Sequence, residues 1–483
     1  MDITLKKWQM LILISMILIA FSVSAILLTD IDKPDHYNLL FVLPLIFASS
    51  LLIYAKLFKS FLDNIGITMI LGLMFVRLVI SPFFMLLGGY NDKITLNVHF
   101  NTSISILLVA YETIAIMTAL FLLVKKYPNK ENKNNFSNCS FHVNRKYIGV
   151  LFILVIIQIA IFIYTPGLLE GYRSIFGIKD PTFTHLEQTY ITQKYGTSFG
   201  AKLSLVTGQY LMKLLRLLLP NTIIVLINRK KRNKYRKVLS YFVLLSQLFL
   251  VDGAIARSII YILISFLLIS YIYPYKRIKK IAKILIISSI SVIFYWLFRS
   301  NLVGGEINQY FSSIFNTYFS GANIVSGSFN LPKDLGIRVQ YFLYDFLKAI
   351  PFGNTLFALK ETDSQIYFNL MNGTTGQIPT TIGSGYYYFG FLLSPIYSIV
   401  FAIMAYKMGQ KANQASNSIS KLRYLFLTIT FSMGIIMYNI PITLTNLFGV
   451  GLPMYIIENY AYRKHKKSRN YERIEHKKIE VIE

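Results

Sequence analysis

The chain leaves one apolar stretch at FYWLFRSNLVGGE (294–306) and enters the next at IPTTIGSGYYYFGF (378–391). Between them lies a long segment of polar and aromatic residues. Loops beyond roughly 12–15 residues are usually functional or disordered. This segment is rich in Tyr, Phe and Ile, a composition that argues against disorder. We therefore expect it to be folded and functional.

The composition outside this segment is that of a membrane protein. Of the 483 residues, 54% are hydrophobic and 15% aromatic, and the mean hydropathy is +0.51. Because only a helix satisfies its own backbone in hydrocarbon, each run of roughly 20 apolar residues predicts a span. The sequence thus predicts an all-α, polytopic membrane helix bundle. Its twelve predicted spans are 9–28, 38–55, 65–88, 103–124, 147–165, 201–227, 238–251, 257–273, 284–301, 384–406, 424–440 and 443–461.

We expect a single bundle over 1–461 and a basic cytoplasmic tail over 462–483. The first run follows two lysines, as a signal peptide does, but it is longer than the ~7–15 apolar residues of a signal core. We therefore predict an uncleaved first helix. The seventh and eighth runs are short, so a helical hairpin with DGAIAR (252–257) at its tip remains an alternative.

Lysine and arginine predict the orientation. Alternate loops and the tail hold 34 of the 49 Lys and Arg residues, which identifies them as cytoplasmic. Both termini are then cytoplasmic, and segments 166–200 and 302–383 form the outer loops. The net charge of +27 is explained by loop orientation and contact with anionic lipid, so we predict no nucleic-acid partner.

The larger outer loop contains two predicted helices. Within INQYFSSIFNTYF (307–319), apolar residues recur at helical spacing, which predicts one apolar helical face. LGIRVQYFLYDFLKAI (335–350) is the second candidate. We expect both to lie in the outer membrane interface with their aromatic side chains at headgroup depth.

Charged residues inside spans need a reason, because each costs about 2.5–3.5 kcal/mol on insertion scales. Arg77 and Glu112 lie equally far from the cytoplasmic ends of the third and fourth spans. We expect a buried ion pair between them; the alternative is that Arg77 faces a polar cavity. Lys213 and Arg216 lie three apart on one face of the sixth span and could share Glu112 or line the same cavity.

Two arginines lie at predicted outer boundaries, against the usual charge bias: Arg257 opens the eighth span and Arg299 closes the ninth. They either snorkel to the interface or form a cationic pocket, since guanidinium matches phosphate oxygens. A lipid-linked diphosphate would carry its charge at this depth. Further substrate-binding candidates are Arg338, Arg173 and Tyr387, the last of which could stack on a sugar or belong to an aromatic belt.

Glycosyl transfer needs a base for the acceptor hydroxyl and cations for the leaving diphosphate. Outer-loop carboxylates and one histidine could be that base, although each is more often a solvated charge. The residues selected as catalytic candidates are His185, Glu306 and Asp334. The histidines show no metal-ligand spacing and no nucleotide-binding loop is present, so we predict no metal and no other cofactor. Cys139 is the only cysteine, which excludes an internal disulfide.

Two segments resemble a known family. DGAIARSIIYILISFLLISY (252–271) resembles the Gly-x-x-Arg entry to a span seen in bacterial polysaccharide polymerases of the Wzy type and in O-antigen ligases. IPTTIGSGYYYFGFLLSPIY (378–397) resembles the segment that closes the large outer loop of many of these polymerases. The span number and the position of the large loop are similar over most of the chain.

This resemblance implies a membrane glycosyltransferase fold, inverting and metal-independent. It marks Arg257 as a contact for diphosphate and, less directly, Arg299 and Arg338. Some members have Arg followed eleven residues later by Gly in two outer loops. Here Thr184 follows Arg173 and Ala349 follows Arg338 at that distance, so neither loop arginine matches this part of the family pattern.

The expected function is polymerisation of polyprenyl-diphosphate-linked oligosaccharides in surface polysaccharide (O-antigen or capsule) biosynthesis. The partners would be those lipid-linked glycans, membrane lipid and a chain-length regulator protein, at the bacterial cytoplasmic membrane. Alternatives are an O-antigen ligase, which uses the same chemistry on another acceptor, and a flippase or other transporter. A transporter would have short loops and charges along a central path. A purely structural membrane protein would need neither outer arginine.

Overall fold

The computed structural model describes residues 3–55, 57, 63–90, 101–127, 143–165, 168, 172–173, 198–228, 234–247, 251–252, 255–272, 307–319, 321–353, 357, 364–374, 377–415 and 417–462. For residues 3–9, 11, 172–173, 199, 202, 251–252 and 255–259 it describes the backbone alone. The chain divides into two compact units. The first comprises Met1–Lys133, Pro274–Asn413 and Leu427–Thr445, and the second comprises Asn134–Tyr273, Gln414–Phe426 and Asn446–Glu483.

Nearly all described residues are helical. The first part of the chain forms α1 (Ile3–Thr29), a 3₁₀ turn (Asp35–Tyr37), α2 (Val42–Ile53), α3 (Ile65–Phe75), a π-helical turn (Val76–Ile80), α4 (Ser81–Leu87) and α5 (Thr102–Lys126). It continues with α6 (Arg145–Tyr164), β1 (Tyr172–Arg173), α7 (Phe199–Ile227), α8 (Lys234–Ser246), β2 (Val251–Asp252) and α9 (Ile255–Ile272). The two short strands pair antiparallel, with Tyr172 opposite Asp252.

The remaining elements complete the helical fold. They are α10 (Ile307–Tyr318), α11 (Ala322–Ser326), a 3₁₀ turn (Gly327–Asn330), α12 (Leu335–Ala349), α13 (Ser364–Asn372), α14 (Thr381–Leu393), α15 (Ile396–Gln414), α16 (Ser418–Ile436), α17 (Ile440–Asn446) and a π-helical turn (Leu447–Gly451). A final helical stretch covers 452–462.

The prediction of a multi-pass helical membrane protein is confirmed. Eight described helices or helix groups are long and apolar enough to cross a membrane. These are Ile12–Thr29, Asp35–Ile53, Ile65–Leu87, Thr102–Lys126, Arg145–Tyr164, Leu203–Ile227, Ser418–Ile436 and Ile440–Tyr462. Of the other predicted spans, 238–251 coincides with the 13-residue helix α8 and 257–273 with α9, of which Ile260–Ile272 is a shorter apolar helix. The predicted span 284–301 lies outside the described residues.

The predicted span 384–406 is broken into two helices. Helices α14 and α15 are bent by 108° where the chain passes from Leu393 to Ile396. Near the end of α14, Gly390 has φ +75°, a backbone conformation that side chains with a Cβ rarely adopt. Tyr111 of α5 supports the turn, because its ring stacks on Phe391 and its hydroxyl donates to the Leu392 carbonyl at 3.0 Å.

Both helices predicted in the large inter-span segment are present as α10 and α12, so these predictions are confirmed. The packing of α10 is less expected. Its two fully buried residues are polar, Ser312 and Asn316, and Ser81 donates to Asn316 Oδ1 at 3.3 Å. The ring of Phe315 stacks on Phe84 of α4 at 4.8 Å. Helix α10 therefore packs both buried polar residues and an aromatic ring against the third predicted span.

The chain following α10 is buried in the first unit. Residues 321–328 are all buried, and Ser105 of α5 donates to the Ala322 carbonyl at 2.8 Å. A loop that crosses a surface would leave its backbone groups to water. Here α11 and the start of the 3₁₀ turn that follows it are instead buried inside the first unit.

Candidate functional site

Helix α12 presents a polar and aromatic face to its neighbours. Asp334, Arg338, Tyr341 and Asp345 follow at spacings of four, three and four residues, which places them on one side of the helix. Contacts from this face reach α13 and α14: Tyr341 packs in one apolar cluster with Phe368 and Tyr387. The second half of this inter-span segment therefore folds around a single helix face.

Arg338 and Tyr387 meet at the centre of this face. The guanidinium carbon lies 5.7 Å from the centroid of the Tyr387 ring, within cation–π range. Within the described part of the chain, Arg338 forms no ion pair, and its buried Nε has no hydrogen-bond partner. The hydroxyl of Tyr387 is equally unpartnered there, although the residue is only 3% exposed. Two side chains in cation–π contact thus each carry a buried hydrogen-bonding atom that has no partner among the described residues.

Aromatic side chains surround this pair. The rings of Tyr341 and Tyr367 stack at 4.7 Å with an interplanar angle of 20°. Ile324, Leu331 and Phe368 complete the apolar cluster around Tyr387. The aromatic rings attract the cation, and a guanidinium can form charge-assisted hydrogen bonds to phosphate or carboxylate oxygens.

Asp334 caps the helix that carries Arg338. Its Oδ1 accepts a hydrogen bond from the Ile337 backbone N–H at 2.9 Å, as an N-cap side chain does. The residue is exposed. The structure thus assigns Asp334 a stabilising role at the helix start, and its proposed role as a base remains a prediction.

Asp345 lies in a buried hydrogen-bond network. Its Oδ2 accepts hydrogen bonds from the Tyr388 hydroxyl at 2.6 Å and from the Ser364 hydroxyl at 2.8 Å. Its Oδ1 accepts from the Ser364 backbone N–H at 3.3 Å. Burial raises the pKa of this carboxyl above its usual value of 3.8, although these hydrogen bonds and the nearby Lys348 oppose the shift. The network connects α12 to the start of α13 and to α14.

We predict that Asp345→Asn reduces the loss of thermal stability that occurs as the pH rises from 4 to 7. Because the folded-state pKa of Asp345 is raised, its contribution to stability is complete below the unfolded pKa, near 3.8, and is lost as the pH rises through the folded value. The amide can keep the network if both hydroxyls reverse their roles. The variant should therefore melt higher relative to the parent at pH 7 than at pH 4.

Thermal unfolding of the detergent-solubilised chain at several pH values measures this difference. Glu458→Gln is a control, because Glu458 accepts a hydrogen bond from Ser420 and pairs with Arg423, both outside the hydrogen-bond network of Asp345. A melting difference between Asp345→Asn and the parent that stays constant from pH 4 to pH 7 would contradict the prediction.

The structure brings together three of the residues proposed from sequence, Asp334, Arg338 and Tyr387. The backbone of Arg173 lies in β1 and that of Arg257 in α9, both within the second unit, and their side chains are not described. The remaining three candidates lie outside the described residues; they are His185, Arg299 and Glu306.

The predicted ion pair within the spans is confirmed. Arg77 Nη1 lies 2.6 Å from Glu112 Oε2, and both side chains are buried. Ser398 of α15 donates to the other oxygen of Glu112. Arg77 belongs to the π-helical turn, and it also lines a narrow cleft with Ser81 and Asn316. The alternative role of Arg77, facing a polar cavity, therefore remains open.

Lys213 and Arg216 lie on helix α7 in the second unit. The ammonium of Lys213 is 5.3 Å from the ring centroid of Tyr210, and the guanidinium of Arg216 is 4.9 Å from that of Tyr261. These aromatic contacts offset part of the cost of a charge inside a span.

Sequence reasoning did not single out Ser328 or Ser364. Ser364 begins α13 and binds Asp345, whereas Ser328 lies in the buried 3₁₀ turn and its hydroxyl has no partner among the described residues. The stretch GANIVSGSFNLP indicates only a turn, because serine is common in turns whether or not it is buried. No sequence signal separates these two serines from the others.

Comparisons of the chain with protein-family models, curated proteins and solved structures found no match. Among the described residues, no three His, Cys, Asp or Glu side chains lie close enough to hold a metal ion.

Proposed function

We propose that this chain is an oligosaccharide repeat-unit polymerase of the Wzy type. It would transfer a polyprenyl-diphosphate-linked glycan onto a sugar hydroxyl of another lipid-linked unit, at the outer face of the bacterial cytoplasmic membrane. Its termini would be cytoplasmic, and a chain-length regulator would be a partner. The proposal rests on the two segments that resemble this family and on the multi-pass helical architecture.

The observation that carries the proposal furthest is the Arg338–Tyr387 pair. A guanidinium with an unpartnered Nε, set against a tyrosine with an unpartnered hydroxyl, offers two donors to one oxygen-rich ligand. Burial makes such donors costly when they have no partner, so a ligand that accepts from both gains affinity. A diphosphate leaving group is a ligand of this kind.

The reaction then proceeds as one displacement. The acceptor hydroxyl oxygen forms a bond to the anomeric carbon of the donor glycan, and the bond from that carbon to the diphosphate oxygen breaks. Polyprenyl diphosphate leaves with the electron pair, stabilised by Arg338 and Tyr387. The hydroxyl proton passes to a base, for which Asp334, His185 and Glu306 remain the candidates.

A lipid-linked-glycan transporter is the second candidate. Two features favour it: the π-helical turn that carries Arg77, and the 108° break between α14 and α15. Interrupted helices near buried charges are common in transporters, where they bind substrate at mid-membrane. The long folded segment between predicted spans favours the polymerase.

Deletion of the gene, followed by gel analysis of the surface polysaccharide, separates these functions. A polymerase predicts that single repeat units still reach the surface while the ladder of longer chains disappears. A transporter predicts that lipid-linked units accumulate on the cytoplasmic leaflet and that no units appear outside. Plasmid-borne parent sequence should restore the ladder. A full ladder in the deletion strain would remove the polymerase proposal.

A further inference from the structure

Three polar atoms without a hydrogen-bond partner in the described part of the chain lie beside the first two turns of α14: Ser328 Oγ, Arg338 Nε and the Tyr387 hydroxyl oxygen. The hydroxyl of Ser328 lies at the first turn, where a Cβ added to Gly383 would overlap it. Tyr387 is one turn further along α14 and packs against Ile324 and Leu331, which lie on either side of Ser328 in the chain. Arg338 contacts the ring of Tyr387.

Of these three residues, Ser328 gives the strongest indication of a ligand. Ser328 is only 1% exposed, and its hydroxyl has no hydrogen-bond partner among the described residues. The hydroxyl of Thr380 already caps α14 by accepting from the Gly383 N–H at 2.8 Å. Ser328 therefore adds a second hydroxyl to the start of a helix that already has its cap, and nothing in the described fold uses it.

The electrostatics of this place favour an anion. A helix N-terminus carries a partial positive charge and N–H groups without intrahelical acceptors. The guanidinium of Arg338, on α12, adds a full positive charge beside α14 through its contact with Tyr387. No ion pair within the described ranges neutralises that charge. Helix α14 is also the first half of a bent helix pair, and half-helix N-termini bind anionic substrate groups in other membrane proteins.

We infer that the start of α14 is a phosphate-binding subsite formed by the Ser328 hydroxyl and the first backbone N–H groups of α14. With Arg338 and Tyr387, it would hold the two phosphates of one diphosphate, one at each end. The inference that a phosphate binds here depends only on the arrangement of Ser328, Arg338, Tyr387 and the start of α14. That the diphosphate belongs to a carrier lipid rests on the proposed function.

Binding of inorganic pyrophosphate and of polyprenyl diphosphate to the purified full-length chain in nanodiscs tests the inference. We expect both to raise the melting temperature of the parent with saturation, and the lipid to saturate at lower concentration. Ser328→Ala should weaken both affinities at least about 10-fold, because a hydrogen bond to a charged group is lost. Its melting temperature without ligand should be unchanged or higher, since the hydroxyl has no partner.

Ser326→Ala is the matched control. Ser326 is buried in the same segment, but its hydroxyl donates to the Asn323 carbonyl at 2.6 Å. This variant should melt lower than the parent and bind pyrophosphate with the parent's affinity. Tyr387→Phe removes the second unpartnered hydroxyl and provides an independent variant if Ser328→Ala folds poorly; it should also bind at least about 10-fold more weakly.

The outcomes of these experiments distinguish a failure of the phosphate-subsite inference from a failure of the polymerase proposal. Parent-like pyrophosphate affinity in both Ser328→Ala and Tyr387→Phe, or an equal loss in Ser326→Ala, would overturn the subsite. Pyrophosphate binding that depends on Ser328 in a protein whose deletion leaves the polysaccharide ladder intact would keep the subsite and remove the polymerase proposal. Saturation by pyrophosphate but not by the lipid would support the phosphate site and reject the carrier lipid as its source.

Discussion

Arg338→Ala is expected to reduce the surface polysaccharide to single repeat units while the protein remains in the membrane. Removing one partner of a buried, charged hydrogen bond costs about 2–5 kcal/mol, and each 1.4 kcal/mol is about tenfold in rate. The expected loss of polymerisation is thus on the order of 30- to 4,000-fold. Arg338→Lys should recover only a small part, because an ammonium lacks the planar fork of guanidinium.

Lys333→Ala is the matched control for this change. Lys333 lies in the same segment and is an exposed cation, so its removal should leave the ladder of chain lengths unchanged. Membrane levels of each variant, measured by immunoblot, separate loss of function from loss of protein. A normal ladder in Arg338→Ala would show that the pair with Tyr387 is not the diphosphate contact.

Glu112→Ala is expected to remove most of the folded protein. The substitution leaves Arg77 buried without its carboxylate, and breaking a buried ion pair from one side costs about 3–5 kcal/mol. That is a large part of the 5–15 kcal/mol that stabilises a typical protein. The measurement is the amount of monodisperse protein in detergent, together with its melting temperature.

The double variant Arg77→Met/Glu112→Met distinguishes a structural pair from a functional one. Replacing both ions with apolar side chains of similar size is often neutral or stabilising. We therefore expect the double variant to regain the stability that Glu112→Ala loses. If it also makes long chains, the pair acts in packing alone. A stable double variant without polymer would show that Arg77 serves the cleft that it lines.

Sequence patterns located the helices better than they located the faces of those helices. The spacing of apolar residues predicted α10, but its buried residues are Ser312 and Asn316, not the apolar ones. Periodicity reports that a helix has two unlike faces. It does not report which face meets protein, because the outward side of a membrane protein faces lipid at some positions and water at others.

For the same reason, the sequence predicted the contact of one arginine but not that of another. Arg77 and Glu112 could be paired from sequence, because both lie at equal distances from the ends of neighbouring spans, and the ion pair is present. Arg338 and Tyr387 lie 49 positions apart on separate short helices, and no register connects those helices. Their contact appears only after α12 and α14 have packed.

The amino-acid sequence alone determined that this chain is a multi-pass helical membrane protein, because the side chains of its long runs are apolar and a helix satisfies the polar backbone groups inside hydrocarbon. It also determined that the segment after position 306 contains helices of its own. Tertiary packing decided that α14 breaks from α15, that residues 321–328 are buried and that Arg338 rests on Tyr387 with unused donors. These features depend on contacts between distant residues, which no local pattern records.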